Sequence, residues 1–346
     1  MQETRHSRIY SPTTSHFSAC EAKNPFTVFR PPPWFLEGEA WWMILSFLGP
    51  SRELLEGVKH QLLEESKHFG LAPWASFEPI KGLRGGIGNV QIIRYHMSLV
   101  GQSPMTVYYV EINWEKLSSS LTMCPWTGPY DELLIVPGAF KPPPGCPNQS
   151  PGLRVTQIYV SSLESVLNGR RNWNIPKKLA RFKFCQVEGS ASKIELNVYG
   201  LRSYRFTPCI TSTGWYFEPD FYETPFFNVT MDRHLPRVNV PVNVGQLPLL
   251  DLSLLQPPLQ AADSLDPESP EANCAMVGTS DWKRTNPRIK GSCGLCSFKG
   301  NLAGRKGHFS DGDLFPDVRP YRLGIHFPRI FLEFPPPIIL LSTAKK

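Results

Sequence analysis

The segment Asn168-Gly169-Arg170-Arg171-Asn172-Trp173-Asn174-Ile175-Pro176-Lys177-Lys178-Leu179-Ala180 sets two adjacent lysines directly after a proline, among apolar and aromatic neighbours. A lysine pair alone reads as a solvated basic turn, which would ordinarily lie in a polar context. Pro176 fixes its own φ and biases Ile175 toward extended backbone, so the chain enters Lys177 as strand or extended loop. Side chains then alternate between faces, and Lys177 and Lys178 point to opposite sides. One can enter a pocket; the other acts, if at all, through its charge.

A lysine amine attacks a ketone only as the neutral base, and at an unperturbed pKa of about 10.4 only about one in a few thousand is neutral at pH 7. Burial in an apolar pocket lowers a lysine pKa by roughly 3–5 units, and a neighbouring cation acts in the same direction. A neutral amine forms a Schiff base with a ketone, whose protonated imine is an electron sink. Upstream, Ser161-Ser162-Leu163-Glu164 has the form of a capping box, with Gly169 as the expected C-terminal stop of a short helix. Downstream, Arg181-Phe182-Lys183-Phe184 alternates as a strand. Rigid elements on both sides suit the positioning of a nucleophile.

Gly169-Arg170 followed after five residues by Pro176-Lys177-Lys178-Leu179 resembles the active-site segment of the acetoacetate decarboxylase family at the same spacing. The resemblance implies that Lys177 forms the Schiff base and that Lys178 is the accompanying cation. Gly128-Pro129-Tyr130-Asp131-Glu132-Leu133 resembles the family's Gly-x-Tyr-x-Glu segment, which makes Glu132 the implied acid/base or orienting carboxylate. Val110-Glu111-Ile112 is similar to a strand bearing another pocket glutamate, so Glu111 is the implied substrate-binding residue. The wording around Tyr130-Asp131-Glu132-Leu133-Leu134 and Gly169-Arg170-Arg171-Asn172-Trp173 resembles the fungal branch of the superfamily.

Two differences from bacterial members bear on the substrate. Those enzymes carry a glutamate directly after Gly-Arg, where this chain has Arg171, and an N-terminal arginine where Glu37-Gly38-Glu39-Ala40-Trp41 corresponds best. Acetoacetate thereby gives way to a longer or more apolar β-keto acid, such as a polyketide-derived one in fungal secondary metabolism. The resemblance implies an α+β fold: mainly antiparallel β, with a barrel-like or cone-shaped sheet around an apolar pocket and a few flanking helices. It implies a homo-oligomer and a cofactor-independent lyase. A Schiff-base aldolase or dehydratase, which Arg171 and Glu39 could accompany, and a non-catalytic binder of apolar ketones or acids are the competing readings.

Composition agrees with this class. Among 346 residues there are 35 prolines, 12% are aromatic and only 19% are charged, which suits a turn-rich β protein with an apolar cavity. A net charge of +6 favours small anions slightly and gives no reason to expect nucleic acid. Eight scattered cysteines are expected to be reduced thiols. Cys293-Gly294-Leu295-Cys296 lacks a second pair or spaced histidines, so neither a metal nor a redox centre is expected. Met1 to His6 leads into no secretory core, and Trp41–Leu48 is too short to span a bilayer. A soluble cytoplasmic protein with no membrane partner is the expectation, and the sequons at Asn148 and Asn228 are expected to be unused.

Residues 1–23 read as a flexible arm and 24–346 as the decarboxylase-like domain, with a loop or linker at 256–273 and a basic segment at 282–308. Trp41–Leu48 reads as a buried strand ended by Gly49-Pro50, and Ser51–Gly70 as the clearest helix. Gly82–Gly88 has neither a Walker lysine nor Gly-x-Gly-x-x-Gly spacing and reads as a hairpin turn. Further strands are expected at Val90–His96, Thr106–Trp114, Leu133–Val136 with Glu132 at its mouth, Arg154–Val160, Ile194–Tyr199, within Trp215–Phe227, and at Tyr321–Leu332.

Overall fold

In the computed structural model, residues 29–50, 55–56, 78–100, 129–143, 146, 149–208, 215–233, 240–243, 252–259 and 278–342 are described. Strands dominate them: β1 (Trp34–Ser46), β2 (Gly88–Val100), β3 (Tyr130–Val136), β4 (Ala139–Phe140), β5 (Gly152–Leu153) and β6 (Gln157–Val160) precede a helix, α1 (Leu163–Trp173). After it come β7 (Lys177–Gln186), β8 (Lys193–Pro208), β9 (Trp215–Phe221), β10 (Phe227–Asp232), β11 (Val240–Asn243) and β12 (Leu254–Gln256). The chain closes with β13 (Asp281–Thr285), β14 (Arg288–Lys299), β15 (Leu323–Phe334) and β16 (Ile338–Ser342).

Eleven of these strands form one sheet in the order β10-β14-β15-β1-β2-β3-β6-β7-β8-β9, with β11 added beside β14. A further pairing of β10 with β8 joins the path into a ring of hydrogen bonds, which removes the open edges along it. Its pairings are antiparallel except that of β6 with β7, which run parallel because α1 carries the chain back between them. A second sheet, β16-β13-β12-β5-β4, is separate from the ring. The fold is therefore α+β with a mainly antiparallel, barrel-like sheet.

Period-two alternation decides what each face of the ring sheet carries. On β3, Leu133 and Ile135 enter a cluster with Val90, Ile92, Leu196, Val198 and Val229, while Tyr130, Leu134 and Val136 enter another with Trp34, Leu36, Ile93 and Ile158. On β7, Ala180 and Phe182 belong to the first cluster and Leu179 to the second. Lys177 shares parity with Leu179, and Lys178 with Ala180 and Phe182. The second cluster also takes in residues of α1 and of the smaller sheet, among them Val166, Trp173, Leu153 and Leu254.

Several expectations are corrected. The first strand starts at Trp34, not Trp41, so Glu37-Gly38-Glu39 lies inside it, where the register shifts against β2 at Glu37/Gly38 and against β15 at Gly38/Ala40. Glu132 is the third residue of β3 and not at the mouth of a strand. Gly82–Gly88 holds a 3₁₀ turn at Leu83–Gly85 rather than a hairpin turn. The strand expected at Arg154–Val160 is shorter, Gln157–Val160. The basic segment 282–308 supplies β13 to the smaller sheet and β14, ending at Lys299, to the ring. Asn228 is buried and donates from Nδ2 to Glu195 Oε1 at 2.7 Å and Asn197 Oδ1 at 2.9 Å, which leaves its sequon no access to a glycan. The arm at 1–23, the strand at Thr106–Trp114 with Glu111, residues 260–273 of the linker and all of the Ser51–Gly70 helix save Leu55 and Glu56 lie outside the described residues. Among the described residues no helix is long and apolar enough to cross a membrane.

Candidate active site

The β6-α1-β7 unit places Lys177. Ser162 caps α1: its Oγ accepts from the Ser165 backbone N–H at 3.3 Å, so the capping partner is Ser165 and not the expected Glu164. The helix runs through Gly169 and ends at Asn174, whose left-handed φ of 57° lets its N–H reach back to the Arg170 carbonyl at 3.0 Å. Asn174 with Pro176 two residues on is the stop that Gly169 was expected to be. A Cβ at Gly169 would lie 2.6 Å from Lys177 Cδ and 2.7 Å from Cε. The glycine is thus the bed on which the lysine stem lies.

Lys177 is 5% exposed. Its Nζ donates to Glu132 Oε1 at 2.5 Å and to Ser165 Oγ at 2.9 Å. Glu132, 4% exposed, accepts on its other oxygen from Tyr95 Oη at 3.1 Å. A buried ion pair repays its desolvation only when further hydrogen bonds satisfy both ions, and Ser165 and Tyr95 supply them. The Tyr130 ring lies under the ammonium, with Nζ 5.3 Å from its centroid, and against Tyr95 at 4.7 Å. Burial first, and the Glu132 charge second, hold both tyrosine hydroxyls well above the usual tyrosine pKa. Both are therefore neutral donors at physiological pH.

These groups form the polar floor of an otherwise apolar pocket with an empty volume of about 710 Å³, its mouth included. Trp34 and Leu36 of β1, Leu153 and Leu254 of the smaller sheet, Trp173 of α1 and Phe334 of β15 are among its walls. Both indole N–H groups in that wall are occupied, Trp34 donating to the Arg30 carbonyl and Trp173 to that of Pro335. The concavity has the make-up of a small-molecule site: apolar walls with a few convergent polar groups.

Of the residues expected at the site, Lys177 and Glu132 meet. Lys178 is partly exposed and does not line the pocket, in keeping with strand alternation. Glu111 lies outside the described residues. Tyr95, Tyr130 and Ser165 were missed. Tyr130 could have been found, because it stands two residues before Glu132 on an extended segment and shares its face; Tyr95 and Ser165 leave no local signal. Neither Arg171 nor Glu39 lines the pocket. Glu39 lies 2.7 Å from His326 Nε2, and His326 stacks on Trp41 of the opposite cluster. Arg171 sits at the end of α1 with its guanidinium 5.4 Å from the Phe29 ring.

Cys293 and Cys296 are free thiols within β14, and burial pushes the Cys296 thiol up to about 12. Among the described residues no group of three or more His, Cys, Asp or Glu side chains could hold a metal ion.

No family model matches the sequence, and no curated protein matches it. Solved structures that resemble the chain include the enduracididine biosynthesis enzyme MppR complexed with the condensation product of pyruvate and imidazole 4-carboxaldehyde, at 13% identity and a TM-score of 0.46 over 92% of each chain. Acetoacetate decarboxylase from Legionella pneumophila is 11% identical with a TM-score of 0.48, over 90% of this chain and 88% of that one. An acetoacetate decarboxylase-like enzyme from Sphingomonas wittichii RW1 is 11% identical with a TM-score of 0.48, over 91% and 95%. At such identities and TM-scores the likeness is too slight to carry the family or the reaction, and the chemistry has to be read from the site itself.

Proposed function

We propose that the chain is a cofactor-independent decarboxylase acting on a β-keto acid through a Schiff base on Lys177. The observation that carries this reading is the buried Lys177–Glu132 pair at the floor of an apolar pocket. Nζ has to shed a proton before it can attack, and Glu132 Oε1 at 2.5 Å is placed to take it. The amine attacks the ketone carbon, a proton passes from nitrogen to oxygen, and the resulting hydroxyl leaves as water with the proton held by Glu132. In the protonated imine the bond to the carboxylate breaks; its electron pair forms the enamine double bond as the imine π pair moves onto nitrogen, and carbon dioxide departs. Protonation at carbon and hydrolysis release the ketone and return Lys177. Apolar walls favour this step, since a carboxylate is solvated poorly there and carbon dioxide is not. The substrate is a β-keto acid with an apolar body, of the kind a polyketide supplies, and Lys178 contributes through its charge alone.

The test is intact mass after sodium borohydride treatment with a medium-chain β-keto acid, with evolved carbon dioxide followed in parallel. Wild type should gain one reduced adduct and release gas above the spontaneous rate; Lys177→Ala should do neither. Because removing one partner of a buried ion pair costs about 3–5 kcal/mol, a Lys177→Met, Glu132→Gln double variant serves as the folded control. Adduct without gas would turn the reading to aldolase or dehydratase chemistry. Absence of any adduct would leave a binder of apolar ketones or acids.

A further inference from the structure

The hydroxyl of Tyr130 is buried and, among the described residues, has no partner in hydrogen-bonding geometry, although Glu132 and Ser165 are close enough to act on its ionisation. An unmet buried hydroxyl is a standing cost to the fold and calls for an explanation. Tyr95 differs, since its O–H is directed to Glu132. Tyr130 lines the same pocket as Lys177, on the strand position that shares a face with Glu132, and its ring packs beneath the Lys177 ammonium. An intact O–H that makes no hydrogen bond of its own among the described residues, beside the amine that attacks a carbonyl, is a donor open to a ligand.

We propose that Tyr130 is a catalytic residue of this site, donating a hydrogen bond to the substrate's carbonyl oxygen as Lys177 adds to the carbonyl carbon; this rests on the Schiff-base reading above. As the C–N bond forms, the carbonyl π pair moves onto oxygen, in a pocket whose walls offer it little solvation. The Tyr130 O–H stabilises that charge until the nitrogen's proton reaches the oxygen. The neutral carbinolamine then loses its hydroxyl as water, with the proton held by Glu132, while the nitrogen pair closes the imine. Tyr130 keeps its own proton throughout, so atoms and charge balance without it. Lys177 and Glu132 thus move protons, Ser165 aims the amine, and Tyr130 holds the oxygen.

The test compares wild type with Tyr130→Phe, using 2-nonanone as a neutral ketone probe and following the rate at which a borohydride-reducible adduct appears by intact mass. Losing a donor to a developing oxyanion slows reactions by about 10²–10³-fold, and a slowing of that order is expected here. Affinity for 2-nonanol, which has the same chain and no carbonyl, should stay within about threefold, because alcohol binding develops no such charge. The melting temperature should not fall, since an unpartnered hydroxyl is removed. Wild-type adduct formed at an equal rate by the Phe variant would overturn the role of Tyr130 while leaving Lys177 as nucleophile. A Phe variant that fails to fold would show the hydroxyl to be structural, which also overturns it. No wild-type adduct would overturn the Schiff-base reading and this role together.

Discussion

At Gly169 a missing methyl group matters more than any side chain could. Alanine is a better helix former than glycine by about 0.5–1 kcal/mol, so Gly169→Ala ought to leave α1 at least as stable. Yet its Cβ would fall 2.6 Å from Lys177 Cδ, and the lysine, tied to Glu132 and Ser165, has nowhere to move without releasing one of them. Gly169→Ala is expected to melt within a few degrees of wild type while the adduct-forming rate drops at least about tenfold, as misplacement of a reacting group by a fraction of an ångström does. Intact-mass kinetics with a thermal melt on the same sample check both halves. The glycine was visible in the sequence, but as a helix stop. Its spacing to Lys177 hides a contact across the β6-α1-β7 turn that only the folded backbone creates.

At the level of single elements, α1 shows how a local pattern can be right in kind and wrong in detail. Serines and a glutamate do announce the helix start, but Ser162 and not Ser161 is the cap. Asn174 ends the helix because a left-handed residue before the extended Ile175-Pro176 turns the chain directly into β7. Its side chain is committed as well, Nδ2 donating to the Asp281 carbonyl at the start of β13 at 2.6 Å. Ser162→Ala removes the acceptor for the Ser165 N–H and should cost about 1 kcal/mol in urea unfolding. Because Ser165 Oγ also receives the Lys177 ammonium, the same change is expected to slow adduct formation less than about tenfold, the loss of one positioning hydrogen bond. β1 was under-read for a related reason: Glu37-Gly38-Glu39 breaks apolar alternation, and the register shifts within it are set by β2 and β15.

Over the whole molecule, the closed sheet gives one face to the pocket and the other to a separate core, and a carboxyl on the core side ties stability to pH. Asp131, whose neighbours on β3 are Tyr130 and Glu132, has its carboxyl pushed up to about 6 by burial, against the opposing pull of the Arg94 guanidinium. Between about pH 4 and pH 6 the folded chain therefore holds a proton that the unfolded chain has lost, and stability falls as pH rises through that window. The effect is bounded at about 3 kcal/mol, because a tenfold change in proton affinity between the folded and unfolded chain is worth about 1.36 kcal/mol. Asp131→Asn should flatten this part of the profile, measured as unfolding free energy in urea from pH 4 to pH 7; an unchanged slope would remove Asp131 as its source. On the same face, Glu39 of β1 pairs with His326 of β15, with Arg233, just past β10, 3.5 Å away. What looked in the sequence like a substrate-directed departure is a tie between strands of the ring.

Local chemistry in the sequence was enough to determine that Lys177 enters an extended segment after Pro176, that Lys177 and Lys178 diverge, that a short helix precedes them and that most of the chain is strand. All of these follow from backbone restrictions and a side-chain period of two, which act over a few residues. Tertiary structure alone decided that Lys177 meets Glu132 across 45 positions, that Ser165 and Tyr95 complete the pair, that β10 closes the ring through β8 and β14, and that Glu39 and Arg171 stay out of the pocket. Those outcomes depend on strand register and order. Register is set by the sum of buried contacts between distant segments, and no single stretch of the chain contains that sum.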